Sequence, residues 1–507
     1  MDTIVRTSNG RVRGRTIDGV SAFLGVSYAA PPIGANRLRP PQPVDPWAGV
    51  RDATALGPEP PQPQFDRNDP TGMLFDPAVP GDDCLNLNIW TPDPGAAGLP
   101  VMVWSPGGAF RYNSGGSYDG SRFARDGVVC VTINWRTGAD GFLYLGEDDD
   151  ANLGLLDQVA ALTWVRDHIS AFGGDPDQVT LFGESAGAMS IGDLLSMPRA
   201  AGLFRRAILQ SGAAHHVIRP ADAARIGARL AEVLGVPATR DTIAEVPVER
   251  FLEAQAQIDA EVASSPDPAR WGTEVVASVM PFHPIVDGDV VPDAPIERIA
   301  AGAGADVDVL VGTNSDDWRL FPVLGGFIDE VTDEMLSGPV EVYGSRCMAA
   351  FGLPAETALP AYRSAHPDGS PGDLLAAVLT DWWIRVPAVR LADAHAAAPA
   401  GTFMYEFAWP SPAFGGRLGA CHGLEIPFVF NSLDLGHKQM LGGALGDKPP
   451  QELADFMHAA WVDFAARGDP GWPRYDLERR ATMRFDVDSS VIDDPYVRER
   501  ELWAGVR

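Results

Sequence analysis

Gly183-Glu-Ser-Ala-Gly187 sets a serine between two glycines in the pattern G-x-S-x-G. With 54 glycines in 507 residues, chance alone yields about 0.3 such matches, so the motif gains weight only from its surroundings. It follows the β-branched and aromatic run 179–182 and precedes a stretch with helical spacing from Ser185 to about Ser196. At a strand-to-helix turn a serine hydroxyl is held exposed, and flanking glycines let the turn close. The start of the following helix adds partial positive charge beneath the reacting oxygen. A serine in that position is a candidate nucleophile for acyl transfer. It then requires a general base, an acid that orients the base, and donors for the oxyanion.

Each of these has a candidate. Ser105-Pro-Gly-Gly-Ala-Phe110 follows the apolar run 101–104. Backbone N–H groups of Gly108 and Ala109, with that of Ala186 after the serine, can converge on one oxygen. Of nine histidines, His422 lies in Gly419-Ala-Cys-His-Gly-Leu-Glu425, a loop after the run 402–407. His168, His395 and His458 fall within helical patterns and read as surface or packing residues, leaving His437 as the other loop histidine near that end. The acid belongs between serine and histidine, at a strand end. Asn314-Ser-Asp-Asp-Trp318 follows the run 307–312 and offers both Asp316 and Asp317. A carboxylate after a strand is more often a turn residue, so the chain order serine, acid, histidine carries this assignment.

The elements that must position these residues alternate. Runs at 101–104, 128–133, 179–182 and 207–210 read as buried strands, with a helix at about 153–172 between the second and third. That alternation predicts an α/β fold with a mostly parallel central sheet and helices on both faces. Runs 307–312 and 402–407 read as later strands of the same sheet. Alanine-rich helical stretches between them read as insertions over the active site, at about 213–300 and 322–400, within a single domain spanning 1–507. The proline-rich piece 58–80 reads as a surface loop near the site.

Composition narrows the partners. Thirty-nine basic against 68 acidic residues leave a net charge of −29, which disfavours nucleic acid and anionic lipid surfaces. No apolar run approaches the ~18 residues of a membrane span, and the N-terminus shows no secretory pattern. Cys84, Cys130, Cys347 and Cys421 lie far apart with no CxxC pair, as expected of free thiols in a cytoplasmic protein. No metal-ligand cluster or nucleotide loop is visible, so neither metal nor cofactor is expected. The expected partner is a small-molecule substrate.

Beyond the serine motif, Gly10-Arg-Val-Arg-Gly14, Phe23-Leu-Gly-Val-Ser-Tyr-Ala-Ala-Pro-Pro32, Asp83-Cys-Leu-Asn-Leu-Asn88, Asn134-Trp-Arg136, Phe172-Gly-Gly-Asp-Pro176 and Gln210-Ser-Gly212 run in order along the chain. Together they resemble the type-B carboxylesterases, which include para-nitrobenzyl esterases and cholinesterases. The resemblance implies the α/β-hydrolase fold and a serine carboxylesterase for small to medium neutral esters, with Ser185, Asp317 and His422 as its triad. It implies Glu184, Ser211 and Gly107 as supports behind those residues, and Phe110 and Phe321 in the substrate pocket. Three departures stand out. Pro106 replaces the usual histidine or tyrosine, Asp317 replaces the usual glutamate, and Cys84 has no cysteine before it to pair with.

Overall fold

A computed structural model describes residues 2–63, 79–112, 114–146, 150–337, 343–438, 441–495 and 497–506. Among these residues thirteen strands form one sheet. They are β1 (Asp2–Arg6), β2 (Arg11–Ile17), β3 (Val20–Ser27), β4 (Val50–Asp52), β5 (Asn86–Thr91), β6 (Leu99–Ser105), β7 (Val129–Ile133), β8 (Gly174–Glu184), β9 (Arg206–Gln210), β10 (Asp308–Asn314), β11 (Thr402–Phe407), β12 (Ala481–Phe485) and β13 (Ser490–Asp493). The order across the sheet is β1-β2-β3-β5-β7-β6-β8-β9-β10-β11-β12-β13, with β4 beside β2. From β7 to β12 every neighbouring pair is parallel. Strands β1, β2, β3 and β5 form an antiparallel wing at one edge, and β13 closes the other edge antiparallel to β12.

The expected alternation is present. Strands occupy all the predicted runs, and the helix Leu153–His168 continues as a 3-10 turn to Phe172. Alternate side chains on each central strand enter different cores, as the two-residue period of a strand requires. On β6, Val101 and Val103 join one apolar cluster while Met102 and Trp104 join the other. Leu155, Leu162 and Val165 of Leu153–His168 cover the first face; Leu453, Met457, Trp461 and Phe464 of the helix Gln451–Arg467 cover the second. Both faces are therefore apolar, which explains why the central strands read as continuous hydrophobic runs. The chain has the α/β-hydrolase fold. The segments between β9 and β10 and between β10 and β11 are helical, with Val248–Ser264 the longest helix of the first. Of the proline-rich piece, residues 64–78 lie outside the described residues; Glu59 and Gln62 do line a cavity over the carboxyl end of the sheet.

One buried ion pair ties this frame together. Asp157 accepts from the backbone N–H and Nε of Arg136 through one oxygen, at 3.0 and 2.8 Å, and from Nη2 through the other at 2.8 Å. Arg136 Nη1 donates to the Arg39 carbonyl at 2.7 Å. Both side chains are essentially inaccessible to water, so removing one partner strands a buried charge. Asp157→Ala is expected to cost about 3–5 kcal/mol of stability, measured as a lowered unfolding midpoint, with Arg136→Met/Asp157→Leu costing less than Asp157→Ala alone.

Candidate active site

The carboxyl ends of β6, β8, β10 and β11 carry, in turn, the glycine loop, Ser185, the Asp316–Asp317 pair and the loop with His422. Open parallel sheets place ligands at this end of their strands. The turn after β8 is tight. Ser185 stands at φ 56°, ψ −126°, and its N–H donates to the Gln210 carbonyl of neighbouring β9 at 2.9 Å. Both motif glycines have a steric reason. A Cβ on Gly183 would lie 2.5 Å from the Ser105 carbonyl oxygen, and one on Gly187 would lie 2.0 Å from the same atom.

His422 Nδ1 donates to Asp317 Oδ1 at 2.8 Å. The other oxygen, Oδ2, accepts from the Asn314 N–H at 2.9 Å and from Ser211 Oγ at 3.2 Å. Asp317 is fully buried, and its backbone carbonyl accepts from the His422 N–H at 3.0 Å. The carboxylate, one methylene shorter than a glutamate, therefore reaches the imidazole. Asp316 faces elsewhere. Its Oδ2 accepts from the Ala420 N–H at 3.2 Å, and Arg319 pairs with its Oδ1 at 3.2 Å, so it braces the histidine loop without touching the ring.

Negative charge crowds this imidazole. Glu184 Oε1 lies 3.1 Å from His422 Nε2, at ion-pair distance but off the line of a hydrogen bond. Buried Glu425 accepts from Asn314 Nδ2 at 2.6 Å and Gln210 Nε2 at 3.2 Å. Burial opposes protonation of the ring, yet the charges of Glu184, Asp317 and Glu425 outweigh it and raise the His422 pKa. Burial likewise raises Glu184, with Glu425 and Asp317 adding to the effect and His422 opposing it.

Two cavities meet at this point. One, of about 320 Å³, is lined by Gly107, Gly108, Ala109, Glu184, Ser185 and His422, with Glu59 and Tyr118 farther out. The second, of about 350 Å³, shares Ala109, Ser185 and His422 but is walled by Met189, Val279, Trp318, Leu375 and Trp383. Phe321 lines both and sits 5.6 Å, ring centre to ring centre, from His422. Ala186 opens the helix Ala186–Ser196, directly after the serine.

Phe110 does not line either cavity, contrary to expectation. At φ 57° its ring turns back into the core, against Phe142 at 5.4 Å and Trp135 at 6.0 Å, and it is fully buried. Ser211 reaches the histidine only through Asp317. The His437 side chain lies outside the described residues. Sequence reasoning passed over Glu425, although it stands three residues after His422, and Arg111, which follows the glycine loop and lines both cavities. His168 stacks on Trp164, and His395 and His458 are buried, all away from these cavities.

A sequence model of the carboxylesterase family matches residues 1–503. Para-nitrobenzyl esterase of Bacillus subtilis (strain 168) is 37% identical over 98% of both chains. Phenmedipham hydrolase of Pseudarthrobacter oxydans is 34% identical over 95% of this chain and 94% of its own. Among solved structures, a carboxylesterase of Geobacillus stearothermophilus superposes with a TM-score of 0.82 at 37% identity, over 99% of this chain and 100% of that one. A thermophilic para-nitrobenzyl esterase gives 0.84 at 35% identity, over 99% and 100%.

The crowding of carboxylates has a measurable consequence. Glu184→Gln removes one negative charge beside the ring, so the imidazolium loses support and His422 titrates at lower pH than in the wild type. Nuclear magnetic resonance of the labelled ring should show that downward shift. An unmoved or raised midpoint contradicts the charge balance described above.

Proposed function

Because this chain belongs to the carboxylesterase family and is a carboxylic-ester hydrolase, we propose that it cleaves small to medium neutral esters through an acyl-enzyme on Ser185. The observation that carries this reading is the 2.8 Å contact from His422 Nδ1 to buried Asp317, beside a serine held on a left-handed turn and lining the same cavities. With Nδ1–H donated to Asp317, the ring is held in the tautomer that leaves Nε2 as the base.

In this mechanism Ser185 Oγ bonds to the ester carbonyl carbon while its proton passes to His422 Nε2. The carbonyl oxygen gains negative charge. Backbone N–H groups of Gly108, Ala109 and Ala186 stabilise it, each contributing about 3 kcal/mol by analogy with single oxyanion donors elsewhere. The tetrahedral centre collapses, the carbon–oxygen bond to the alcohol breaks, and His422 returns its proton to the leaving alkoxide. Water then attacks the acyl-enzyme by the same route and releases the acid and free Ser185. No step needs a metal or cofactor. Gly107 supports the loop from behind, because a Cβ there would lie 2.6 Å from the Glu184 carbonyl oxygen.

On sequence grounds a neutral substrate is favoured over a choline ester. Cholinesterases bind the cation on a tryptophan in the loop before the motif matching Asp83-Cys84. Residues 51–83 contain no tryptophan. We read the chain as one catalytic domain. A cytoplasmic address belongs to the same reading, supported by four buried cysteines that form no disulfide among the described residues. No helix among the described residues is long and apolar enough to cross a membrane.

Two experiments test this. An organophosphate should add its mass to the peptide holding Ser185 and abolish activity. Asp317→Asn should lower kcat by several orders of magnitude, ~10⁴ by analogy with serine proteases, with little change in KM. Asp316→Asn should stay within about tenfold, the range of an indirect effect through the loop. The reverse pattern reassigns the acid, and full turnover by Ser185→Ala removes the acyl-enzyme altogether. For the substrate, p-nitrophenyl butyrate is expected to exceed acetylthiocholine in kcat/KM, and the opposite order refutes the neutral-ester reading.

A further inference from the structure

The glycine loop after β6 ends in a conformation that needs support. Ala109 and Phe110 are non-glycine residues at φ 54° and φ 57°. Such residues are strained and persist only where their surroundings hold them. Upstream the loop begins at Pro106, which has no N–H to donate. The support lies downstream. The Phe110 carbonyl accepts from the Gly138 N–H at 2.6 Å, and the Arg111 carbonyl accepts from Thr137 Oγ1 at 3.2 Å.

The Arg111 side chain then crosses the wall between the two cavities. Its Nη2 pairs with Asp259 Oδ1 and donates to the Val279 carbonyl at 3.3 Å. Val279 is itself left-handed at φ 54°, a conformation that is a genuine outlier for a β-branched residue. Asp259 belongs to the helix Val248–Ser264, one turn beyond Gln255 on the same face. Gln255 Oε1 accepts from the Ala139 N–H at 2.7 Å, beside the Gly138 that holds Phe110. One helix thus grips the loop at two points. Partial burial pushes the Asp259 carboxyl up to about 6 against the pull of Arg111.

We propose that Arg111, anchored by Asp259, is a positioning residue that fixes the Gly108 and Ala109 N–H groups in the geometry the oxyanion requires. The proposal rests on the reading that these two groups are oxyanion donors. Arg111 and Asp259 together carry no net charge, so the pair steadies the loop without drawing a charged substrate into the site. A misplacement of the donors by about 1 Å is worth about 10²-fold in rate, so a strut several bonds away controls turnover.

The test compares Arg111→Met, Arg111→Lys, Asp259→Asn and Arg111→Met/Asp259→Leu. Each is assayed for kcat and KM with p-nitrophenyl butyrate, for thermal midpoint, and for its preference for an alkyl trifluoromethyl ketone over the matching methyl ketone. That preference reports stabilisation of the tetrahedral oxyanion. Arg111→Met and Asp259→Asn are expected to lose about 10²-fold in kcat with KM nearly unchanged, and to lose the ketone preference in parallel. The double variant should be no worse than the worse single one, and Arg111→Lys should recover part of the loss. Retention of kcat and ketone preference by Arg111→Met overturns the proposal, whether or not its midpoint falls. If Arg111→Met does not fold, Asp259→Asn and Arg111→Lys decide by the same criteria. A wild-type enzyme with no preference for the trifluoromethyl ketone refutes the oxyanion reading itself, an outcome distinct from failure of the strut.

Discussion

The site depends on how closely the carboxyl ends of β6 and β8 approach each other. The Ser105 carbonyl at the end of β6 sits where a Cβ on Gly183 or Gly187 would have to be. Gly107, two residues on, is pressed against Glu184 and Ser185 in the same way, with 2.9 Å from its hypothetical Cβ to that of the serine. Three glycines, one at the end of β8, one in the loop after β6 and one in the helix after Ser185, therefore let the serine turn and the glycine loop occupy one small volume. A larger residue at any of them pushes donors and serine apart. The left-handed backbone at Ser185 is a cost of that compactness, of order 1–3 kcal/mol, and the hydrogen bond to Gln210 helps hold it.

Burial of charge is the second constraint, and it is met by distribution. Asp317, Glu184 and Glu425 surround a single imidazole. Three full charges there would be costly to desolvate against one cation. Asp317 is satisfied by His422, Asn314 and Ser211, and Glu425 by Asn314 and Gln210. Glu184 has no such partner, and burial raises its pKa accordingly. The carboxylate with the most hydrogen bonds faces Nδ1, and the one whose facing oxygen accepts none among the described residues faces Nε2. In the proposed mechanism an imidazolium formed during turnover faces carboxylates on both sides, at Nδ1 and at Nε2.

How far sequence reaches into this structure follows from the range of each interaction. The parallel strands were legible because both their faces are buried, which forces continuous apolar runs. The antiparallel wing was not read as strands: β2 mixes arginines, a glycine and a threonine with its apolar residues, and its alternation is weak. Ser185 and the glycine loop were legible because each follows a strand directly, and His422 because it lies in the loop between β11 and the helix Ile426–Val429. Asp316 and Asp317 could be separated only by alignment, whereas in space they diverge at once, one to Ala420 and one to His422. Phe110 was misplaced because its side chain direction follows from a positive φ that no residue pattern announces. Glu425 and Asp259 escaped notice because their partners lie 111 and 148 positions away along the chain, at Asn314 and Arg111.

The cavities carry the argument from mechanism to selectivity. In the proposed reaction an ester's two arms part at the carbon that Ser185 attacks, and two cavities part at Ser185 and His422. One is walled by Met189, Val279, Trp318, Leu375 and Trp383. The other mixes apolar groups with Glu59, Gln62 and Glu184. Each methylene moved from water into the first recovers about 0.8 kcal/mol, while a polar arm placed there loses its hydrogen bonds to water with nothing to replace them. In the proposed reaction the hydrocarbon arm therefore gains most in the cavity walled by Met189 and Trp383, and an arm with polar groups goes to the cavity that Glu59, Gln62 and Glu184 line. Arg111, standing between them, belongs to both walls and, through the loop it follows, to the donors at their junction. In the proposed reaction, selectivity between arms and stabilisation of the oxyanion are coupled through this one side chain, because Arg111 lines both cavities.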